Sequence, residues 1–150
     1  MMMTDWLELG GRVLVVFDGR CGFCNASVRW LARRDGRDRL RFVAAEDERV
    51  RGLLERHGLG AVRFAAEPST LVVVCGGGGG EERVLVRSAA VAAAMGELPV
   101  AWPAVAAMLR AVPRPVRDLG YRAVARARYW LGGRLEACPL PTAAERAKFL

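Results

Sequence analysis

Two cysteines three positions apart, Cys21 and Cys24, follow an aspartate, Asp18, in the run Val13-Leu14-Val15-Val16-Phe17-Asp18-Gly19-Arg20-Cys21-Gly22-Phe23-Cys24. On a first helical turn, cysteines at that spacing have Cβ atoms about 5–6 Å apart, so a small adjustment closes a disulfide. The first N–H groups of a helix lack partners and carry partial positive charge. A thiolate placed there is stabilised, its pKa falls, and it becomes a nucleophile near neutral pH. The chemistry on offer is a dithiol that opens and closes. Asp18 has two open roles, holding the turn's N–H groups or relaying a proton. Its charge beside Cys21 would raise the thiol pKa and oppose the helix terminus. Gly22-Phe23, between the cysteines, carries no charge of its own.

The same spacing also opens zinc sites, which need two further ligands. The remaining cysteines and histidine, Cys75, Cys138 and His57, form no second paired spacing. Thiol–disulfide exchange is therefore the leading reading, with Cys21, Cys24 and Asp18 as catalytic residues. Its partners are a disulfide-containing protein or a small thiol, and the sequence names no reductant. The alternative is a non-catalytic module that binds metal or a partner through Cys21, Cys24 and Cys138. Cys75 closes an apolar run and reads as buried. Cys138, in the Pro-bounded stretch Cys138-Pro139-Leu140-Pro141, reads as exposed; the leading reading is an unreactive thiol, the others a resolving thiol for a mixed disulfide or a metal ligand.

The elements around the dithiol follow from patterning. Val13–Phe17 is a continuous apolar run, as in a strand covered on both faces of a parallel sheet. A helix from Cys24 to Arg34 puts Cys24, Val28 and Leu31 on one stripe, so Cys24 points inward and Cys21 stands at the tip. Leu40–Ala44 reads as a second strand, parallel to the first because a crossover helix leads to it. Glu46 to His57 is helical, with Val50, Leu53 and Leu54 inward. Leu71–Cys75 is a β-branched strand, five glycines follow, and Arg83–Arg87 is its hairpin partner. Ser88 caps a helix over Ala89–Met95. The order βαβ-α-ββ-α is the layout of a thioredoxin-like α/β core, with the dithiol at the start of the helix after the first strand. Pro68 lies just ahead of the third strand, where such cores hold a cis-proline facing the dithiol.

The last third reads as a helical extension. Pro103 suits the first turn of Ala104–Arg110, and Pro113 and Pro115 open a longer helix from Val116 to Leu131. Thr142-Ala143-Ala144-Glu145 is a capping box for a last short helix. The expected organisation is one domain, with a core over 12–96 and the extension over 97–150.

At 150 residues and 53% hydrophobic composition, the chain can build a substantial core. Its net charge of +7 rests almost wholly on arginine, since Lys148 is the single lysine. Seven arginines stand against one aspartate between Arg110 and Arg134, interleaved with Tyr121, Tyr129 and Trp130. That helix is either a solvated basic face or a surface for an anionic partner. No nucleic-acid reading module surrounds it, so nucleic acid is not expected. The glycine run lacks the Gly-Lys-Ser/Thr of a phosphate loop, and no cofactor is expected. The first residues are acidic without an apolar run, and no stretch of about 18 uncharged apolar residues exists. The expected compartment is the cytoplasm, where thiols are kept reduced.

Asp18-Gly19-Arg20-Cys21-Gly22-Phe23-Cys24 resembles the Asp-x-x-Cys-x-x-Cys signature of the DCC-type, or YuxK-like, thiol–disulfide oxidoreductases. The resemblance continues through Arg87-Ser88-Ala89-Ala90, Arg117-Asp118-x-x-Tyr121, Ala125-Arg126-Ala127-Arg128-Tyr129 and Cys138-x-Leu-Pro, covering roughly residues 12–150. Ala127 departs from the family pattern, which carries a polar residue, often Asn, ahead of the Arg-Tyr pair. The resemblance implies a thioredoxin-like fold and thiol exchange, and supplies no substrate.

Overall fold

β1, Val13–Phe17, is buried along its whole length because helices cover both faces of the sheet it belongs to. Side chains alternate between faces along a strand. Val13, Val15 and Phe17 accordingly pack with Val28 and Leu31 of α1 (Gly22–Arg34) and Ala90 and Ala94 of α3 (Arg87–Gly96). Leu14 and Val16 pack on the other face with Val50 and Leu54 of α2 (Glu48–Arg56). Each large apolar side chain so buried contributes about 1.5–3 kcal/mol, which is why this run tolerates no alternating polar residue. The computed structural model describes residues 12–19, 22–45, 47–56, 71–75, 83–132 and 148–149.

The sheet has four strands in the order β2-β1-β3-β4. β2, Leu40–Ala44, runs parallel to β1, with Phe17 opposite Ala44. β3, Leu71–Cys75, is antiparallel to β1, with Phe17 opposite Leu71, and β4, Arg83–Val86, is antiparallel to β3. The result is an α/β fold with a thioredoxin-like core. Two further helices, α4 (Trp102–Ala111) and α5 (Arg114–Gly132), extend it. α4 lies on α3, and α5 lies against α1 and α3, on the face that carries Cys24. Among the described residues no helix is long and apolar enough to cross a membrane.

Several boundaries move. α1 begins at Gly22, two residues ahead of Cys24, so Cys24 is its third residue. α4 and α5 each begin two residues earlier than their patterns suggest, at Trp102 and Arg114. Pro103 and Pro115 fall at the second position of each, where a missing N–H costs nothing. Ser88 is not a cap. The N-cap of α3 is Val86, extended at φ −128° and ψ 162°, and no side chain bonds there. The Ser88 hydroxyl donates instead to Asp118 of α5. A partly shielded carboxylate is a stronger acceptor than a neutral carbonyl, and it draws the serine inside the helix.

The chain's last described residues close the β2 edge of the sheet, where Phe149 bridges Phe42. Phe149 stacks on Phe42 at 5.3 Å and meets Phe17 edge-on at 6.2 Å. Lys148 places its ammonium 2.9 Å from Asp35, whose carboxylate also accepts the N–H groups of Arg39 and Leu40. Pro68, the glycine run 76–80, His57, Cys138 and the capping box 142–145 lie outside the described residues.

Candidate active site

The site is built where β1 ends and α1 begins. A parallel sheet and its crossover helix gather the strand's carboxyl end and the helix's amino end at one edge, which is where ligands meet such folds. Asp18 is buried at the end of β1, 9% exposed. Cys24 is buried on the first turn of α1, 7% exposed, on the inward stripe with Val28 and Leu31. Cys21, next before Gly22 in the chain, lies outside the described residues.

A residue that the pattern did not single out holds this junction. Asn25 is 5% exposed, and its Nδ2 donates to the Gly19 carbonyl at 2.8 Å. It ties the first turn of α1 back to the turn leaving β1, across the stretch that carries Cys21. The available signal was a lone amide next to Cys24 on the buried side of an otherwise apolar and basic helix. Buried amides need partners, and the nearest polar backbone is the turn.

A second polar group assembles behind Cys24 from residues thirty positions apart. Ser88, 3% exposed, donates to Asp118 and accepts from Arg117 Nε at 2.9 Å. Arg114 stands 3.8 Å from the same aspartate. One turn further along α5, the Tyr121 hydroxyl accepts the N–H of Leu71 at 3.2 Å. Leu71 opens β3 directly opposite Phe17, so Tyr121 reaches the end of the sheet where Asp18 follows β1. Ser88 and the Arg117-Asp118-x-x-Tyr121 motif thus form one structural unit that fastens α5 to the core. Arg117 is half-buried in it, whereas Arg110, Arg114, Arg122 and Arg126 are exposed.

Between α1, α3, α4 and α5 a cleft of about 840 Å³ opens beside Cys24. Trp30 and Leu31 form one wall, Val91 and Met95 another, and Val116 and Val124 a third.

Cys75 closes β3, half-buried. Burial pushes its thiol pKa up, Glu97 adds to the rise, and Arg83 opposes it. Among the described residues no three His, Cys, Asp or Glu side chains gather to hold a metal. The alternative set of Cys21, Cys24 and Cys138 falls partly outside them.

A mixed four-stranded sheet covered by helices on both faces, with a cysteine on the first turn of the helix after its first strand, places the fold in the thioredoxin-like class. The chain belongs to the DCC1-like thiol-disulfide oxidoreductase family, whose model matches residues 15–134. It is 31% identical over 143 residues to the uncharacterized Bacillus subtilis protein YuxK, covering 95% of this chain and 96% of the relative. It is also 31% identical over 137 residues to a chloroplastic DCC family protein of Arabidopsis thaliana, covering 91% and 74%. No solved structure matches the chain.

Proposed function

We propose that the protein exchanges thiols and disulfides through the Cys21/Cys24 pair. The observation that carries this reading is the placement of Cys24, buried on the first turn of α1 and open to a cleft. Family membership supports the same chemistry. In the proposed cycle the Cys21 thiolate attacks a substrate disulfide, forming a mixed disulfide and releasing the first thiol, which takes up a proton. Cys24 then loses its proton, attacks Cys21 Sγ and releases the second thiol, leaving the Cys21–Cys24 disulfide. A low-molecular-weight thiol pool, as in the cytoplasm, returns the pair to the dithiol. Asp18 holds the turn or relays the proton between Cys24 and solvent.

Single-turnover reduction of a small disulfide tests the assignment. Cys21→Ser is expected to abolish reduction, and Cys24→Ser to accumulate a covalent adduct visible by mass spectrometry. Undiminished reduction by Cys21→Ser would overturn the assignment, as would zinc that is bound stoichiometrically and shields the thiols until stripped.

A further inference from the structure

We propose that the cleft beside Cys24 is the binding site for a lipophilic small molecule that carries the disulfide. This inference rests on the thiol-exchange reading above and names its substrate class.

The walls decide the chemistry. Among the described residues, apart from Cys24 and the indole of Trp30, the polar side chains that line the cleft are Ser27, Ser88, Arg117 and Tyr121. Ser88 is committed to Asp118 and Arg117, Tyr121 holds the N–H of Leu71, and Ser27 is likewise engaged. Arg117 and Asp118 share the Ser88 hydroxyl, so their opposite charges meet at one corner. A ligand rich in charge, such as a disulfide of an anionic peptide, would lose its hydration against apolar walls with little to replace it. An alkyl or aryl group loses nothing and gains roughly 0.8 kcal/mol for each methylene buried, about fourfold in affinity.

The size and the backbone point to a small molecule instead of a polypeptide. A volume of about 840 Å³ lies within the roughly 300–1,000 Å³ of small-ligand pockets. A peptide entering it would need partners for its own N–H and C=O groups. Among the described residues the walls are mostly helical, with backbone groups spent internally, and the N–H of Leu71 at the strand end is taken by Tyr121. The cleft's apolar lining also continues to the surface. Val112 and Val116 line it while remaining 38% and 60% exposed. A lipophile therefore has an apolar route from the α4–α5 surface to Cys24. The bonds made and broken are those of the cycle above, with the substrate's S–S bond reduced to two thiols and a low-molecular-weight thiol as the final reductant.

Gly120 provides the test. It lines the cleft from the middle of α5, and a Cβ built on it meets nothing within 4 Å. Gly120→Leu therefore fills the space from a helical position where glycine is itself unfavourable. Gly52, on α2 across the sheet, has equally open surroundings, and Gly52→Leu is the control. Dipropyl disulfide and bis(2-hydroxyethyl) disulfide have the same number of heavy atoms and differ in a terminal methyl or hydroxyl. With the full chain and each rate divided by that of free dithiothreitol, kcat/KM is expected to favour the dipropyl compound by at least about tenfold and to rise with chain length. Gly120→Leu is expected to collapse that preference, whereas Gly52→Leu keeps it. Equal use of the two disulfides, an unaltered preference in Gly120→Leu, or faster turnover of a disulfide-bonded peptide than of any dialkyl disulfide would overturn the proposal and leave thiol exchange standing. If neither small disulfide nor any peptide disulfide is reduced faster than by Cys21→Ser, the thiol-exchange reading itself fails.

Discussion

Asn25 Nδ2 lies 2.8 Å from the Gly19 carbonyl, and both residues are buried. The bond closes a loop of backbone that includes Cys21, joining the last turn of the strand segment to the first turn of the helix. The proposed exchange needs a rigid junction between strand and helix, and this amide is one described side chain that supplies it. Asn25→Ala removes the donor from a buried carbonyl, so it is expected to cost about 1–2 kcal/mol in urea unfolding. Disulfide reduction is expected to fall several-fold, with stability and rate lost together. A variant that unfolds at the wild-type urea midpoint and reduces at the wild-type rate would show the bond to be idle.

Ser88 joins α3 to α5 through Asp118 and Arg117. Ser88→Ala deprives a part-buried carboxylate of a donor and a guanidinium of an acceptor, and is expected to destabilise the fold by about 1–3 kcal/mol. Combined with Asp118→Asn, the losses should be non-additive by more than about 0.5 kcal/mol, because the two groups share one contact. A double-mutant cycle in urea measures this, and strict additivity would mean that the serine and the aspartate do not act as a pair.

What the sequence makes legible follows from how local each signal is. β1, β2 and β3 fall on the expected residues because an uninterrupted apolar run needs cover on both faces wherever it sits, and α2 and α3 provide it. The parallel pairing of β2 and the hairpin of β3 with β4 follow from connection length in the same way. Ser88 shows the limit. Its neighbours specify a cap, but the partner that wins is Asp118, thirty residues on, and no local pattern reports it. Arg117 reads as one more solvated arginine until α5 is laid against α3, and Asn25 has no meaning until the turn it holds is formed. Lys148 and Phe149 were legible only as composition, since their partners lie more than a hundred residues back.

Lys148 makes a prediction of its own. Asp35 is fully enclosed at its side chain, and Lys148 is 17% exposed. Breaking such a pair strands a buried carboxylate, so Lys148→Met is expected to lose about 3 kcal/mol. The same ammonium reaches Asp38, whose carboxyl is held well below the usual carboxylate range, first by Arg41 and then by Lys148. A depressed carboxylate stabilises the fold above its unfolded pKa of about 3.9 and loses that contribution as pH falls through the folded value. Asp38 is half-exposed, so solvent screens its share. The stability of Lys148→Met should therefore fall less steeply below pH 4 than that of wild type, which acid titration of urea midpoints checks. Equal acid slopes would show that Asp38 draws nothing from the lysine.

Cys75 stands apart from the thiols of the proposed exchange. Burial pushes its pKa up, with Glu97 adding to the rise, and the unfolded thiol titrates near about 8.5. A folded pKa above the unfolded one gives stability that is complete below about pH 8.5 and is lost as pH rises through the folded value. Cys75→Ala is accordingly expected to flatten the alkaline loss of stability while leaving disulfide reduction unchanged, because Cys75 touches neither Cys24 nor the cleft. The same reasoning orders the alkylation rates. With iodoacetamide at pH 7, peptide mass spectrometry should find Cys21 modified first and Cys75 only on unfolding or at alkaline pH, since the thiolate is the reacting form. Modification of Cys75 at pH 7 as fast as in the unfolded chain would mean that the strand end opens readily, and that β3 does not hold its thiol against the core.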